Sequence, residues 1–327
     1  MFDVLEKLHN IPSPSGFEEN IKEFILKEAK PNCDKIFSDV LGNIVVRKAG
    51  KGPKIMLCAH MDEIGLISTF IEDNGFVRFS VLGSPELRSL AGKSITFLNG
   101  VKGVIGFEGK CELKDYSYKK CFIDIGAGTK EEAEKAISIG TAAVIDGNLS
   151  EINGKIIGRA LDDKIGVFIL LEVMKRIAGS PNDLYFVFTV QEELGLRGAK
   201  TAAFQVEPDY CISLDVTAVG DLSTGNDMEV SLGKGPAIKI KDKGIICHKF
   251  IVNTLIDTAK KADISYQLEV LEKGSTDAGA VHLTKSGVIS GGLSIPARYI
   301  HTPNEMVDKG DIENAIKMLI FLLEKGI

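Results

Sequence analysis

Five short apolar runs in this chain end in a histidine or a carboxylate, and that recurrence constrains the fold more than any other feature. Lys54-Ile-Met-Leu-Cys-Ala runs into His60-Met-Asp62-Glu63, and Leu184-Tyr-Phe-Val-Phe-Thr-Val runs into Gln191-Glu192-Glu193. Tyr210-Cys-Ile-Ser-Leu ends in Asp215, and Arg298-Tyr-Ile leads to His301. The fifth run ends near Ile157 and leads into Arg159-Ala-Leu-Asp162-Asp163-Lys164. Short runs without polar alternation read as strands buried on both faces. Parallel α/β sheets bind their ligands beyond the carboxyl ends of such strands. The pattern predicts an α/β fold with its chemistry along one edge of the sheet.

Asp162-Asp163 stands where the strand run gives way to a helical pattern over 163–177. Taken alone, the pair fits a helix N-terminus, where Asp caps the first turn and complements the macrodipole. Beside two histidines and paired glutamates it points instead to a divalent cation, whose charge inverts the local preference against adjacent carboxylates. Histidines and carboxylates without a thiolate suit Zn²⁺, Co²⁺ or Mn²⁺. Two such ions can activate a bridging water and polarise a carbonyl together. One carboxylate must then bridge the ions, and another, off the metals, should take the water's proton. Glu192 and Glu193 are placed to divide such roles, and Asp62 to orient the His60 ring.

Length and charge narrow the classes further. The 327 residues, 44% of them apolar, suffice for one large or two smaller domains with a sizeable core. A net charge of −6 argues against nucleic acid or an anionic membrane as partner. No apolar stretch reaches the ~18 residues of a transmembrane helix, and the Met1-Phe-Asp-Val-Leu-Glu-Lys-Leu start reads as an amphipathic helix rather than a signal peptide. The six cysteines, at 33, 58, 111, 121, 211 and 247, form no Cys-x-x-Cys pair. Cys58 and Cys211 lie inside strand runs as small hydrophobes. A reduced, cytoplasmic setting is expected.

Along the chain, residues 2–10 and 19–30 read as helices around the breaker-rich loop Ile11-Pro-Ser-Pro-Ser-Gly-Phe-Glu. Strands follow at 35–39, 43–48 and 54–59. From Gly65 to Ile157 the texture changes to short β runs (64–71, 76–82, 94–98, 101–107), with the hairpin signals Asn74-Gly and Asn99-Gly. Only Lys130 to Ile139 reads as helix there. No chemistry-bearing cluster falls in this interval, so residues 65–157 are expected to form an inserted small β domain. Residues 1–64 and 158–327 are expected to form the catalytic domain. Gly126-Ala-Gly128-Thr-Lys130 fails as a dinucleotide fingerprint, because the third glycine position is Glu131. The α/β pattern then resumes, with helices at 163–177, 197–204 and 248–262 and strands at 184–190, 210–215, 265–270 and 287–293. Val219 to Gly235 reads as loop or hairpin, and the last helix runs from Asp308-Lys-Gly-Asp311 to about Lys325.

In this order, His60-Met-Asp62-Glu, Leu161-Asp162-Asp163-Lys, Glu192-Glu193-Leu-Gly, Leu214-Asp215 and Ile300-His301-Thr-Pro resemble the cobalt- or zinc-dependent TET-type aminopeptidases of metallopeptidase family forty-two. That family includes glutamyl, leucyl and lysyl aminopeptidases, and the resemblance covers essentially the whole chain. It implies a phosphorylase/hydrolase-like mixed sheet flanked by helices, with a PDZ-like or barrel-like dimerisation insert. It also implies two divalent ions per subunit, one held by His60, Asp162 and Asp215 and one by Asp162, Glu193 and His301. Glu192 matches the family's general base and Asp62 the residue that orients the first histidine. The peptide bond between Asp162 and Asp163 is cis in such enzymes. The implied substrates are peptides with a free N-terminus, and the implied assembly is a homo-oligomer built from dimers, up to a tetrahedral dodecamer.

Other readings use fewer of these residues. A glycosidase, the label endoglucanase that the family often carries, needs two carboxylates and no metal, which leaves both histidines idle. The chain also has no Trp to form a sugar platform. A dimetal deacetylase or carboxypeptidase would share the ligands, and a catalytically silent shell protein would not need Glu192. Thr276-Asp277 fits either a substrate-side segment or a helix cap, and His248 and Arg298 fit either the active site or a structural place. His9 and His282 read as structural.

Overall fold

The sheet is built from strands whose alternate residues enter two different apolar layers. A computed structural model of the chain describes residues 3–109, 117–223 and 227–327. Cys111 and residues 224–226 of the Val219–Gly235 stretch lie outside the described residues. The first segment holds α1 (Asp3–Asn10), α2 (Glu19–Ala29), β1 (Lys35–Ser38), β2 (Ile44–Lys48) and β3 (Lys54–His60). In β3, Ile55, Leu57 and Ala59 join the larger core, and Met56 and Cys58 join a smaller one on the opposite face. Both faces are therefore covered, as expected for a central parallel strand.

The insert follows as β4 (Gly65–Ile71), β5 (Val77–Leu82), β6 (Ser94–Phe97), β7 (Lys102–Phe107), β8 (Cys121–Asp124), α3 (Lys130–Ala136) and β9 (Ala142–Ile145). Its six strands close into a barrel in the order β4-β5-β8-β7-β6-β9 around Leu66, Val77, Phe97, Ile123 and Ala143. Of the two expected shapes, the barrel is the one present, and closure leaves no unpaired edge. α3 begins at the Thr129 cap, whose hydroxyl accepts the Glu132 N–H, so the failed glycine fingerprint is a turn entering a helix.

The chain then returns to the large sheet through the hairpin β10 (Ser150–Ile152) and β11 (Lys155–Gly158). Those strands pair with one another and with a later strand, not with the barrel, so the last barrel strand ends well before residue 157. The rest comprises α4 (Leu161–Arg176), β12 (Asp183–Thr189), α5 (Arg197–Val206), β13 (Tyr210–Thr217), β14 (Ala237–Lys241), α6 (Lys249–Lys261) and β15 (Gln267–Val270). α7 (Ala278–Val281), β16 (Ile289–Arg298), β17 (Glu305–Asp308) and α8 (Lys309–Lys325) complete it.

The large sheet runs β1-β2-β12-β3-β13-β16-β17-β11-β10, with β14 and β15 branching from β16. β12, β3, β13 and β16 are mutually parallel, so their carboxyl ends lie side by side. α1, α2, α4, α6 and α8 cover one face, and α5 and α7 the other. α4 is buried from Leu161 through Met174, and its apolar residues point all round the axis, as befits a helix enclosed by protein. Truncating its fully buried Phe168 to Ala would cost about 3–5 kcal/mol. Within α4, Asp162 and Asp163 are not helical, and the peptide bond between them is cis.

β16 continues to Arg298, five residues past the expected end at 293. Pro296, which signals a strand stop, is tolerated because its missing N–H falls between two partners. β14 pairs as far as Ser294, and β17 takes over at Ala297. Among the described residues no helix is long and apolar enough to cross a membrane.

Candidate metal centre

The carboxyl ends of the parallel strands converge on one cavity of about 1160 Å³. β3 delivers His60, β13 delivers Asp215, the turn after β12 delivers Glu192 and Glu193, and the loop after β16 delivers His301. Asp162 arrives at the non-helical start of α4. Among the described residues, two sets of ligand atoms lie within 4.8 Å of one another: His60, Asp163 and Asp215, and Asp162, Glu193 and His301.

Asp162 joins the two sets. Its Oδ1 is 3.0 Å from His60 Nε2, and its Oδ2 is 3.3 Å from His301 Nε2. Asp215 Oδ1 lies 3.9 Å from His60 Nε2, and Glu193 Oε1 lies 3.2 Å from His301 Nε2. Asp163, to which the sequence reading gave no role, stands in the His60 set. Its Oδ1 accepts the Gly166 N–H at 3.0 Å, while its buried Oδ2 has no hydrogen bond. Glu193 Oε1 is likewise buried without a well-formed one, although His301 Nε2 lies 3.2 Å away. A buried carboxylate oxygen left without a donor is costly. Two such oxygens aimed into a cluster of imidazole nitrogens are what a divalent cation fits, and N/O donors of this kind suit Zn²⁺, Co²⁺ or Mn²⁺.

The electrostatics agree. Burial, and then the neighbouring carboxylates Asp215 and Glu193, push Glu192 well above the usual carboxyl range against the pull of His60. Burial and Asp162 do the same to Asp215. Burial opposes the charged form of His301, but Glu193 and Asp162 outweigh it and raise the ring to about 12. Asp162 is held below its ordinary range by the two histidines despite its burial. Burial and the charge of Asp162 raise Glu305, behind His301, to about 8. A divalent cation held among these groups would offset the crowded carboxylates and leave the histidines neutral as ligands.

Positioning groups surround the cluster. His60 Nδ1 meets the backbone carbonyl of Asp62 at 3.0 Å, and the Asp62 carboxylate at 3.5 Å. That carboxylate turns toward the glutamate turn, where it accepts the N–H of Glu192 at 2.9 Å and of Glu193 at 3.3 Å. Ser15 Oγ donates to it at 2.5 Å, and Glu18 Oε1 accepts the Gln191 N–H at 3.1 Å. The loop that reads in sequence only as breakers therefore braces the ends of both β3 and β12. Its sole signal was the pair of hydroxyls among the prolines. Ala160, Gln191, Tyr299 and His301 hold φ between +52° and +63°, and each is, or lies within two residues of, a group in the cluster. Such non-glycine conformations cost about 1–3 kcal/mol each, so the surrounding contacts impose them.

The insert is not remote from the site. Gly83, at φ +75°, passes so close that a Cβ there would lie 2.9 Å from Glu193 Oε2, and Glu86 N–H donates to the His301 carbonyl at 2.9 Å. Elsewhere the cavity is lined by Thr217, Met228, Lys243, Val270, Leu271 and Ser275.

The undecided residues separate as follows. Thr276 lines the cavity, and its hydroxyl meets Ser213 Oγ at 3.0 Å. Asp277 caps no helix with its side chain but accepts the Thr189 hydroxyl at 2.6 Å in a buried position. His248 caps α6 by accepting the Phe250 N–H, and Arg298 pairs with Asp221 at 2.7 Å. His282 Nδ1 meets the Ala278 carbonyl at 3.0 Å, and His9 is buried in α1 with burial lowering its ring to about 4.

Comparison with known proteins places the chain in a family. A relative from Acetivibrio thermocellus is 46% identical over 98% of this chain and 97% of its own. An aminopeptidase structure from the archaeon Desulfurococcus kamchatkensis superposes with a TM-score of 0.96 at 38% identity, covering 99% of this chain and 94% of that one. A TET1 peptidase of Pyrococcus horikoshii, which can assemble into a tetrahedron or a large octahedral shell, superposes at 0.89 with 34% identity over 99% of each chain. The model of the M42 glutamyl aminopeptidase family matches residues 42–318, and the chain belongs to that family of peptide hydrolases.

Proposed function

We propose that this chain is a dinuclear metallo-aminopeptidase that removes the N-terminal residue from peptides. The observation that carries the reading is Asp162, whose two oxygens face two different histidines, 3.0 and 3.3 Å away. His60, Asp162 and Asp215 would hold one ion and Asp162, Glu193 and His301 the other, with Asp163 beside the first. Two bound divalent ions, Zn²⁺ or Co²⁺ and in second place Mn²⁺, would supply Lewis acidity for the scissile carbonyl and an acidified water.

The chain's own residues do the rest. Glu192, fixed through its N–H to Asp62, accepts a proton from the attacking water and returns it to the leaving amine. Its place in the cavity beside His60 and Asp215, off both ligand sets, suits that task. Asp62 fixes the His60 ring through its carbonyl and the glutamate turn through its carboxylate. The cavity wall around Thr217 and Leu271 would receive the side chain of the terminal residue.

The assembly we infer is a cytoplasmic homo-oligomer built from dimers, in line with the shells of the Pyrococcus horikoshii relative. Phe70, Val104 and Ile139 stand exposed on the barrel and offer an apolar contact surface. The test of the activity is a matched pair of peptides, one with a free N-terminus and one acetylated, offered to protein reloaded with Zn²⁺, Co²⁺ or Mn²⁺. Cleavage of the free peptide alone is expected. Equal rates on both would point to a dimetal hydrolase of another kind, such as a deacetylase or carboxypeptidase.

A further inference from the structure

A buried carboxylate that no sequence motif announces grips two members of the cluster by their backbones. Glu305, in β17, is 1% exposed. Its Oε2 accepts the N–H of Asp162 at 2.9 Å, and its Oε1 accepts the N–H of His301 at 2.8 Å. These two residues reach the site from different elements, the start of α4 and the loop after β16. His301 also holds φ +63°, a conformation that needs outside support. Glu305 is itself anchored, because β17 pairs with β11 in a register that sets it opposite Gly158 and pairs with β16 on its other side. One rigidly placed carboxylate thus fixes the spacing between Asp162 Oδ2 and His301 Nε2, 3.3 Å apart. The carboxylate gives each of the two N–H donors its own acceptor oxygen. A glutamine would offer one acceptor and turn an NH₂ donor against the other N–H.

We propose that Glu305 is a positioning residue that sets the metal affinity of the Asp162, Glu193 and His301 site, with a smaller effect on the site around His60 and Asp215. The inference rests on the paired-metal reading given above. Groups that orient metal ligands contribute typically 10–100-fold in affinity. The asymmetry follows from geometry: Glu305 touches both Asp162 and His301 of one site but only the shared Asp162 of the other.

The experiment compares metal-stripped wild type with Glu305→Gln and Glu305→Asp. Each is titrated with Co²⁺ while its visible absorption and metal content are read, and kcat and KM are measured at limiting and at excess metal. Wild type is expected to bind two ions. Glu305→Gln should bind one nearly as wild type does and the other about 10–100-fold more weakly. Its kcat should fall at limiting metal and recover in excess, with KM little changed. Glu305→Asp, which keeps both acceptors on a shorter stem, should fall between them. A Glu305→Gln protein that melts like wild type and titrates like it overturns the inference alone. Wild type that takes up fewer than two ions defeats the paired-metal reading and this inference with it. Should the variants not fold, a metal-loaded crystal structure of the unaltered chain decides: both hydrogen bonds present supports the assignment, and either one missing overturns it.

Discussion

Replacing Glu192 by glutamine should slow turnover by about 10²–10⁴-fold and leave the metal content unchanged. The two glutamates are neighbours of identical chemistry, yet the fold treats them differently. Glu193 Oε1 reaches His301 Nε2 at 3.2 Å, within the second ligand set, and Gly83 closes over its other oxygen. Glu192 is pinned by its N–H to Asp62 at 2.9 Å, and its carboxyl is raised by burial, then by Asp215 and Glu193. Glutamine at 192 keeps the shape but cannot accept the water's proton, so ~3–5 kcal/mol of barrier lowering should vanish. Glutamine at 193 replaces an anionic ligand with a weak one, so one ion should be lost and excess metal should restore part of the rate. The assay is kcat on an aminoacyl-anilide against metal concentration, with bound metal counted in parallel. If excess metal rescued Glu192→Gln while Glu193→Gln kept both ions and stayed inactive, the two roles would have to be exchanged.

Two further predictions concern the frame around the site. Glu63 lies buried between Arg159 and Lys164. Burial alone would raise its carboxyl, but the two cations outweigh that and bring it from 4.5 to about 2. Lys164 is itself pulled down to about 8, mainly by its own burial, so the acid limb is read from Glu63. A depressed carboxyl contributes its stability fully above pH 4.5 and loses it as the pH falls toward 2, a contribution of about 3 kcal/mol. Glu63→Gln should therefore destabilise by about 3–5 kcal/mol at pH 7 and by much less near pH 2 in denaturant melts. A variant as stable as wild type at pH 7 would refute the pairing. For the barrel, replacing residues 66–145 with a short linker should lower the assembly state in light scattering. It should also weaken metal binding, because the loop at Gly83 to Glu86 packs on Glu193 and His301. A folded deletion that still forms a particle of the same subunit number would contradict the first expectation, and unchanged metal affinity the second.

What the sequence made legible follows from how each element is stabilised. β3, β12 and β13 are apolar on both faces and long enough to stand out, so their ends, and the residues those ends carry, could be read directly. α4 announces itself by an unbroken apolar stretch that only a central helix can bury. Short strands such as β10, β14 and β17 have no such signal, because three to five residues become a strand only when a neighbour supplies the ladder. Pro296 hid the last part of β16, since its tolerance depends on where two partner strands begin and end. In the site, the cluster members that follow long strands were visible. Of the groups that brace them only Asp62 was visible: Ser15 and Glu18 come from the N-terminal loop, Gly83 from the insert, and Glu305 from a strand that sequence alone does not reveal. Their roles depend on contacts between distant segments, which periodicity does not record.

The paired-metal account depends most heavily on Asp162, and metal counting on Asp162→Asn tests it directly. Wild type and variant are stripped, reloaded with Zn²⁺ or Co²⁺, passed through gel filtration and analysed for metal per chain by mass spectrometry. Because its two oxygens face His60 and His301 separately, the account predicts two ions per wild-type chain. It predicts that Asp162→Asn weakens both, whereas Asp215→Asn or His301→Ala mainly releases one. An Asp162→Asn protein that emerges from the column with two tightly held ions would contradict it.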